Sequence, residues 1–334
     1  MKNKIKIAVD AMGGDNSPKK IIEGINLSLN KGGEKFFLLC GKKEDINIHL
    51  SKNKNVIKNC EIIDTKDVIL DHESPLTALK RGKDSSMWKS INIQNENLAD
   101  ITLSAGNTGA LLVMSKILLK TLEGIDKPAL AGLWPNNFGM NIVLDLGANI
   151  ECSDKNLIDF AIMGSSLFKS LFPSEKPKVA LLNIGSEELK GNETLKKAAL
   201  FLKNDQNNKS YNFCGYIEGN RIMSGDVDVI VTDGFTGNVA LKTAEGTANF
   251  ITKKLKESLS KLSILFSFSK LNKFKDKLDP RKYNGAIFLG LNGPVVKSHG
   301  SIDSLGFAHS IDMCEKIING NLINKIKADL NTID

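Results

Sequence analysis

A chain of 334 residues, 41% of them hydrophobic, is long enough to bury one large core or two medium ones. Its formal net charge is +7, yet only Arg81, Arg221 and Arg281 are arginine among 45 basic residues, and aromatic residues make up 6%. The arginine and aromatic chemistry that reads nucleic acid is therefore scarce, and no nucleic-acid partner is expected. No uncharged apolar run approaches the roughly 20 residues of a membrane-spanning helix.

The opening residues, MKNKIKIAVD, enter a strand pattern without the apolar segment and cleavage site of a signal peptide, which reads as a cytoplasmic protein. Short apolar runs then alternate with longer amphipathic stretches. In chain order the strand candidates are KIKIAVD (4–10), FFLLCG (36–41), EIID (61–64), DITLSA (100–105), ALAGLW (129–134), NIVLDLG (141–147), KVALLNIG (178–185), YNFCGYI (211–217), DVIVTDG (228–234) and AIFLGL (286–291). Helix-length patterns separate most of them. This alternation predicts βαβ units and a mainly parallel sheet covered on both faces, within one α/β catalytic domain spanning 1–334. Cys40, Cys60, Cys152, Cys214 and Cys314 are dispersed, and the four histidines are scattered. Structural thiols in a reducing compartment fit that spacing; a zinc site does not.

In such sheets ligands bind where strands end. Four strands run into loops of related character: DAMGGDNSP (10–18), SAGNTGA (104–110), NIGSEELKGNE (183–193) and TDGFTGNVALK (232–242). Glycine lets backbone N–H groups approach a ligand. The helix start beyond it supplies unpaired donors and a positive dipole end, which suits phosphate. Pro18 fits the first turn of a helix. Taken singly, each loop is also an ordinary turn with a helix cap; four of them at strand ends point to an anion held by several loops.

Neither GxxxxGK[ST] nor GxGxxG occurs, so a nucleotide tail is not expected. There is no GxSxG elbow and no cysteine in a motif-like setting, so no covalent nucleophile is expected. Lys190, directly before Gly191 and Asn192, is the basic candidate, unless it is a solvated surface lysine. Asn238 suits a developing oxyanion or the first turn of a helix. His299, in VVKSHGSID, suits an anion or a structural role. A carboxylate beside phosphate is repulsive unless protonated or hydrogen-bonded. Asp10 and Asp15, with Asp233, are therefore expected to fix loops and lysines without touching the anion.

Six motifs in order, VDAMGGDNSP, SAGNTGALL, LDLGAN, LLNIGSEELKGNE, VTDGFTGNVALKTAEG and PVVKSHGSID, resemble the bacterial phosphate acyltransferases of the PlsX type, from about residue 5 to about residue 315. LWPNNFGMN and the lysine-rich segment after 250 are less typical of that family. The resemblance implies a three-layer α/β/α sandwich with a mainly parallel sheet, like isocitrate and isopropylmalate dehydrogenases and phosphotransacetylases, usually as a homodimer. It implies transfer of a long-chain acyl group from acyl carrier protein to inorganic phosphate. The acyl phosphate would feed a membrane glycerol-3-phosphate acyltransferase in phospholipid synthesis. No cofactor and no metal are implied.

Phosphate is itself the nucleophile in such a reaction. The protein must supply N–H donors, positive charge and orientation. On this sequence the GNTG (106–109) and DGFTGN (233–238) loops are expected to hold phosphate, with Lys190 and Asn238 on the reacting groups. Gly13, Gly14, Asn16, Lys83, Gly106, Asn107, Thr108, Gly109, Gly234, Thr236, Gly237 and His299 are expected to line the phosphate and substrate site.

Residues 253–278, KKLKESLSKLSILFSFSKLNKFKDKL, carry eight lysines against Glu257 and Asp276. Leu255, Leu259, Leu262 and Phe266 follow a one-face helical spacing. A helical amphipathic protrusion over 250–282 is expected, with Leu262, Ile264, Leu265, Phe266 and Phe268 contacting an anionic membrane peripherally. A dimer-interface helix pair, or a contact with the acidic carrier protein, uses the same pattern. The alternative activity is that of a phosphotransacetylase-like enzyme using acyl-CoA, for which the same loops would serve.

Overall fold

The computed structural model describes residues 4–172, 176–205, 210–258 and 279–331. In chain order its elements are β1 (Ile5–Asp10), α1 (Lys19–Asn30), β2 (Lys35–Gly41), α2 (Lys43–Leu50), α3 (Lys54–Ile57), β3 (Cys60–Asp64), α4 (Pro75–Arg81), α5 (Ser86–Asn95), β4 (Ile101–Ser104), α6 (Thr108–Leu119), β5 (Ala129–Pro135), β6 (Met140–Leu144), α7 (Asp154–Leu171), β7 (Lys178–Asn183), α8 (Glu193–Asn204), β8 (Asn212–Glu218), β9 (Val229–Val231), α9 (Gly234–Ser258), β10 (Ala286–Leu289), β11 (Val295–Lys297), α10 (Ser304–Asn319) and α11 (Leu322–Leu330). All ten strand candidates form strands. β11 was not among them: a three-residue strand is too short to show a period.

The strands join one 11-stranded sheet in the order β3-β2-β1-β4-β11-β10-β5-β6-β9-β7-β8. They are apolar without alternation because both faces are covered. Ile7 and Val9 of β1 enter one core with α1, α7, α8, α10 and α11, and Ala8 between them faces the opposite side. The second large core gathers α4, α5 and α6 against Val143, Phe288 and Val295, with Ala240, Leu241 and Ala244 of α9 packed at its edge. Helices on both faces of a mainly parallel sheet make the expected three-layer α/β/α sandwich.

Strand direction places the site. β1, β2, β3, β4 and β11 are mutually parallel. Three antiparallel junctions follow, β11 with β10, β10 with β5, and β5 with β6. β6, β9, β7 and β8 are again parallel to one another. Three reversals leave that second group pointing opposite to the first, so the carboxyl ends of β1, β4 and β11 lie at one edge of the sheet. Those of β6, β7 and β9 lie at the other.

Of the expected protrusion, residues 250–258 continue α9, and Pro280–Tyr283 form a short 3-10 turn. Every residue from Gly246 to Leu255 is exposed, Phe250 and Ile251 among them. Leu262, Ile264, Leu265, Phe266 and Phe268 fall outside the described residues.

Candidate active site

The opening glycines meet the other strand ends of their edge. A Cβ on Gly13 would lie 2.6 Å from the backbone nitrogen of Gly106 and 2.7 Å from Oδ2 of Asp10. Gly14 has φ +77°, and a Cβ there would lie 2.7 Å from the carbonyl oxygen of Gly300 and 2.9 Å from Nζ of Lys20. Side chains at these two positions would fill the space between the loops after β1, β4 and β11. The backbone ties the same loops together: the Asp15 N–H donates to the Gly300 carbonyl at 2.9 Å, and the Ser298 N–H to the Ser104 carbonyl at 2.9 Å.

Asp10 sits beneath this junction, 1% exposed. Its Oδ1 accepts from Ser86 Oγ at 2.6 Å and from the Met12 N–H at 3.3 Å; its Oδ2 accepts from Ser104 Oγ at 2.7 Å. Burial raises this acid above its ordinary range, and the two hydroxyls oppose that. The carboxylate therefore clamps α5 and β4 to the end of β1. Asp15 is exposed, and its charge acts on Lys20. Asn16 has φ +56°, is exposed, and accepts the Lys20 N–H at 3.1 Å through its backbone carbonyl.

Asn107 caps α6, accepting the Ala110 N–H at 3.0 Å, and its Nδ2 donates to the carbonyls of Asp71 and Glu73, both at 2.9 Å. That side chain holds the loop before α4 against the start of α6. Thr108 and Lys83 are exposed at the same end of the sheet, and Gly109 packs against Pro75. The His299 N–H donates to Asn284 Oδ1 at 2.9 Å, and its Nδ1 faces Ser301 Oγ at 3.1 Å. Burial holds His299 below its ordinary value, helped by Lys297, Lys242 and Lys20 and opposed by Glu245.

Two groups here were not among the sequence candidates. Lys20 is 5% exposed and donates to the Gly300 carbonyl. Burial lowers it, while Asp15 and Asp71 oppose the shift. Lys297 ends β11 and donates to the Ser298 carbonyl, with Ala105 O at 3.5 Å. Burial pulls it down to about 8; Asp71 and Asp10 act against this and Lys20 with it. Lys297 stands inside the quoted PVVKSHGSID motif, and Lys20 follows Pro18 at the start of α1, but neither was singled out.

The opposite edge holds the remaining candidates. Asp145, fully buried, accepts from the N–H groups of Leu130, Gly147, Ala148 and Asn149 and from Asn149 Nδ2, at 2.7–3.2 Å. Burial raises this acid too. Gly234 lies against Asn149 and Asp145, and Gly237 against the Asp145 carbonyl. Asp233 accepts the Thr236 N–H and Oγ1, both at 2.8 Å, closing the first turn of α9. Asn238, exposed, lies 3.4 Å from where a Cβ on Gly147 would stand. Lys190 is exposed on the loop after β7. Its carbonyl accepts from Asn183 Nδ2 at 3.2 Å, and Asn192 caps α8.

The four loops expected to wall one site thus fall into two pairs at opposite edges of the sheet, because the three antiparallel junctions reverse the strands between them. Lys190, on the loop after β7, lies at the same end of the sheet as Asn238, Asp233, Gly234, Thr236 and Gly237, because β7 and β9 are parallel neighbours. The described residues bring Gly13, Gly14, Asn16, Lys83, Gly106, Asn107, Thr108, Gly109 and His299 together with Asp10 and Asp15. α9 links the edges: it starts beside Asp145, and its residues Lys242 and Glu245 act on His299. Among the described residues no three His, Cys, Asp or Glu side chains are placed to hold a metal ion.

Comparison with known proteins agrees with this architecture. The fold resembles the EutD phosphotransacetylase from Staphylococcus aureus, with a TM-score of 0.64 and 15% identity, covering 96% of this chain and 94% of that one. It also resembles a phosphotransacetylase from Streptococcus pyogenes, with a TM-score of 0.63 and 15% identity, covering 97% and 95%. In sequence it is 59% identical over 331 residues to the phosphate acyltransferase of Pelagibacter ubique, 98% of each chain. It is 43% identical over 337 residues to that of Rhodopseudomonas palustris, covering 99% of this chain and 95% of the relative. The family model "Fatty acid synthesis protein" matches residues 5–325, and the chain belongs to that family, the phosphate acyltransferases.

Proposed function

We propose that this protein transfers a long-chain acyl group from the thioester of an acyl carrier protein to inorganic phosphate. A phosphate oxygen attacks the thioester carbonyl, the C–O bond of the acyl phosphate forms, and the C–S bond breaks. The carrier's thiolate leaves and takes up a proton. The observation that carries this reading is the junction at the β1, β4 and β11 ends. There, glycine backbone from three loops closes around two lysines, a seat for a small anion, in a chain whose relatives bear the name phosphate acyltransferase.

The thiols favour direct attack over an acyl-enzyme. Burial raises all five cysteines, Cys60 and Cys152 to about 11, so none stands as a thiolate near neutrality. Supporting a membrane contact, Phe250 and Ile251 stand exposed on α9 immediately before the lysine-rich apolar stretch. No helix among the described residues is long and apolar enough to cross a membrane. A peripheral contact would deliver acyl phosphate to a membrane glycerol-3-phosphate acyltransferase. The working unit in this reading is a homodimer.

One assay tests the reaction. Purified protein is mixed with long-chain acyl carrier protein, with and without phosphate, and free carrier thiol is measured. Phosphate-dependent release is expected. Release from acyl-CoA but not from the carrier would reassign the donor, and trapping of an acylated residue would overturn direct attack.

A further inference from the structure

The charge distribution at the β1, β4 and β11 edge goes one step further than the reaction. We propose that Lys20 and Lys297 together form the seat of the phosphate, so that the attacking anion is held at this edge and not by the loops after β7 and β9. The inference rests on the phosphate-transfer reading for its substrate, and on geometry for its place.

Both ammonium groups are spent on backbone carbonyls, Lys20 on Gly300 and Lys297 on Ser298 and Ala105. A neutral carbonyl leaves the charge of an ammonium uncancelled. Each lysine has three N–H donors, so donors remain for a ligand. They face one spot: a Cβ on Gly14 would lie 2.9 Å from Lys20 Nζ and 2.9 Å from the Ala105 carbonyl oxygen, which Lys297 Nζ reaches at 3.5 Å. Two like charges in a crowded, half-dry site are unfavourable, and the carboxylates around them act only from a distance.

The other charges facing the pair are Asp10 beneath it, held by Ser86 and Ser104, Asp15 beside Lys20, and Asp71 from the loop before α4. His299, with Lys242 and Glu245 of α9, lies on the open side. Asp71 is exposed and acts on both lysines, and its Oδ2 lies 3.8 Å from where a Cβ on Gly300 would stand. It therefore balances the pair until phosphate arrives. Two ammonium groups match a free phosphate dianion. The phosphodiester of a carrier's prosthetic arm brings one charge and is matched less well.

The test measures phosphate KM and acyl-carrier KM separately for wild type, Lys20→Met, Lys297→Met and Asp71→Asn, and measures binding of inorganic phosphate alone by calorimetry. Each lysine variant is expected to raise phosphate KM by about tenfold to a hundredfold, the range for a charged hydrogen bond, with acyl-carrier KM within about twofold of wild type. Asp71→Asn, which removes an exposed carboxylate and leaves the core intact, is expected to lower phosphate KM. Unchanged phosphate KM in Lys297→Met, or a rise confined to acyl-carrier KM, overturns the seat. Calorimetry separates the two readings. If phosphate binds wild type and not Lys297→Met while no acyl transfer occurs, the seat stands and the reaction falls. If transfer occurs with phosphate binding equal in all variants, the seat falls and the reaction stands.

Discussion

Asn149 gives Asp145 both its backbone N–H and its side-chain Nδ2, at 2.7 and 2.8 Å. With Leu130, Gly147 and Ala148 on the same carboxylate, this closes the β6–α7 loop beneath the first turn of α9 and so sets where Asn238 stands. Asp145→Ala would strand these donors, each costing about 1–3 kcal/mol when left buried without a partner, so a loss of at least about 3 kcal/mol is expected. Asp145→Asn keeps one acceptor and should lose less. Urea midpoints of the two variants check the order; equal stability for Asp145→Ala and wild type would show that the loop holds without it.

Lys190→Ala tests which edge holds the reacting groups. Its side chain is exposed, so stability should stay within about 0.5 kcal/mol of wild type. Lys190 stands at the edge opposite Lys20 and Lys297, so kcat and phosphate KM near wild type are expected. A fall in kcat on the order of a hundredfold, the scale of losing one donor to a developing charge, would put the reacting groups at the Lys190 edge and overturn the seat.

Gly13→Ala would place a methyl 2.6 Å from the Gly106 nitrogen, and backbone there cannot rotate aside. Overpacking of this kind costs about 1–3 kcal/mol, and the displaced loop should also raise phosphate KM. Gly139→Ala is the control, because nothing lies within 4 Å of its Cβ position. Thermal unfolding of the two proteins compares them directly; a Gly13→Ala melting curve matching that of Gly139→Ala would contradict the close packing.

Lys297, pulled down to about 8 by burial, is charged below that pH and neutral above it. Phosphate KM is therefore expected to climb as pH rises from about 7 to about 9. Lys297→Met lacks this titrating group, so its profile should keep only phosphate's own ionisation and the response of Lys20. His299 is held low and is neutral over the same range, so it adds no step. Superimposable profiles for the two proteins would assign the pH dependence elsewhere.

Flotation with anionic and neutral vesicles examines the lysine-rich apolar segment. Binding to anionic vesicles that weakens with salt is expected, with loss in a Leu265→Asp, Phe266→Asp double variant. Equal flotation of the double variant would move the membrane contact away from this segment.

The alternation of apolar runs and amphipathic stretches sufficed for ten strands and for a mainly parallel sheet covered on both faces. Burial on both faces forces continuous apolar strands, and such runs are visible without a structure. β11 escaped because three residues show no period, and Lys297 escaped with it. Lys20 looked like any helix-opening lysine, since nothing local says that the Gly300 carbonyl, 280 residues onward, will cover it.

The sheet read as mainly parallel, but where it reverses could not be read. KVALLNIG and DVIVTDG carry the same pattern whether they run with β1 or against it. The three antiparallel junctions that turn them round are contacts between segments far apart in the chain. Glycine, asparagine and aspartate at strand ends are local requirements of turns and caps, so the residue types there were legible along the chain. Which ends face each other was set by the pairing of distant strands. That pairing joined Gly13 and Gly14 to Gly106, Gly300, Lys20 and Lys297, and set Lys190 and Asn238 at the far edge, because non-local strand pairing fixes direction and local pattern does not.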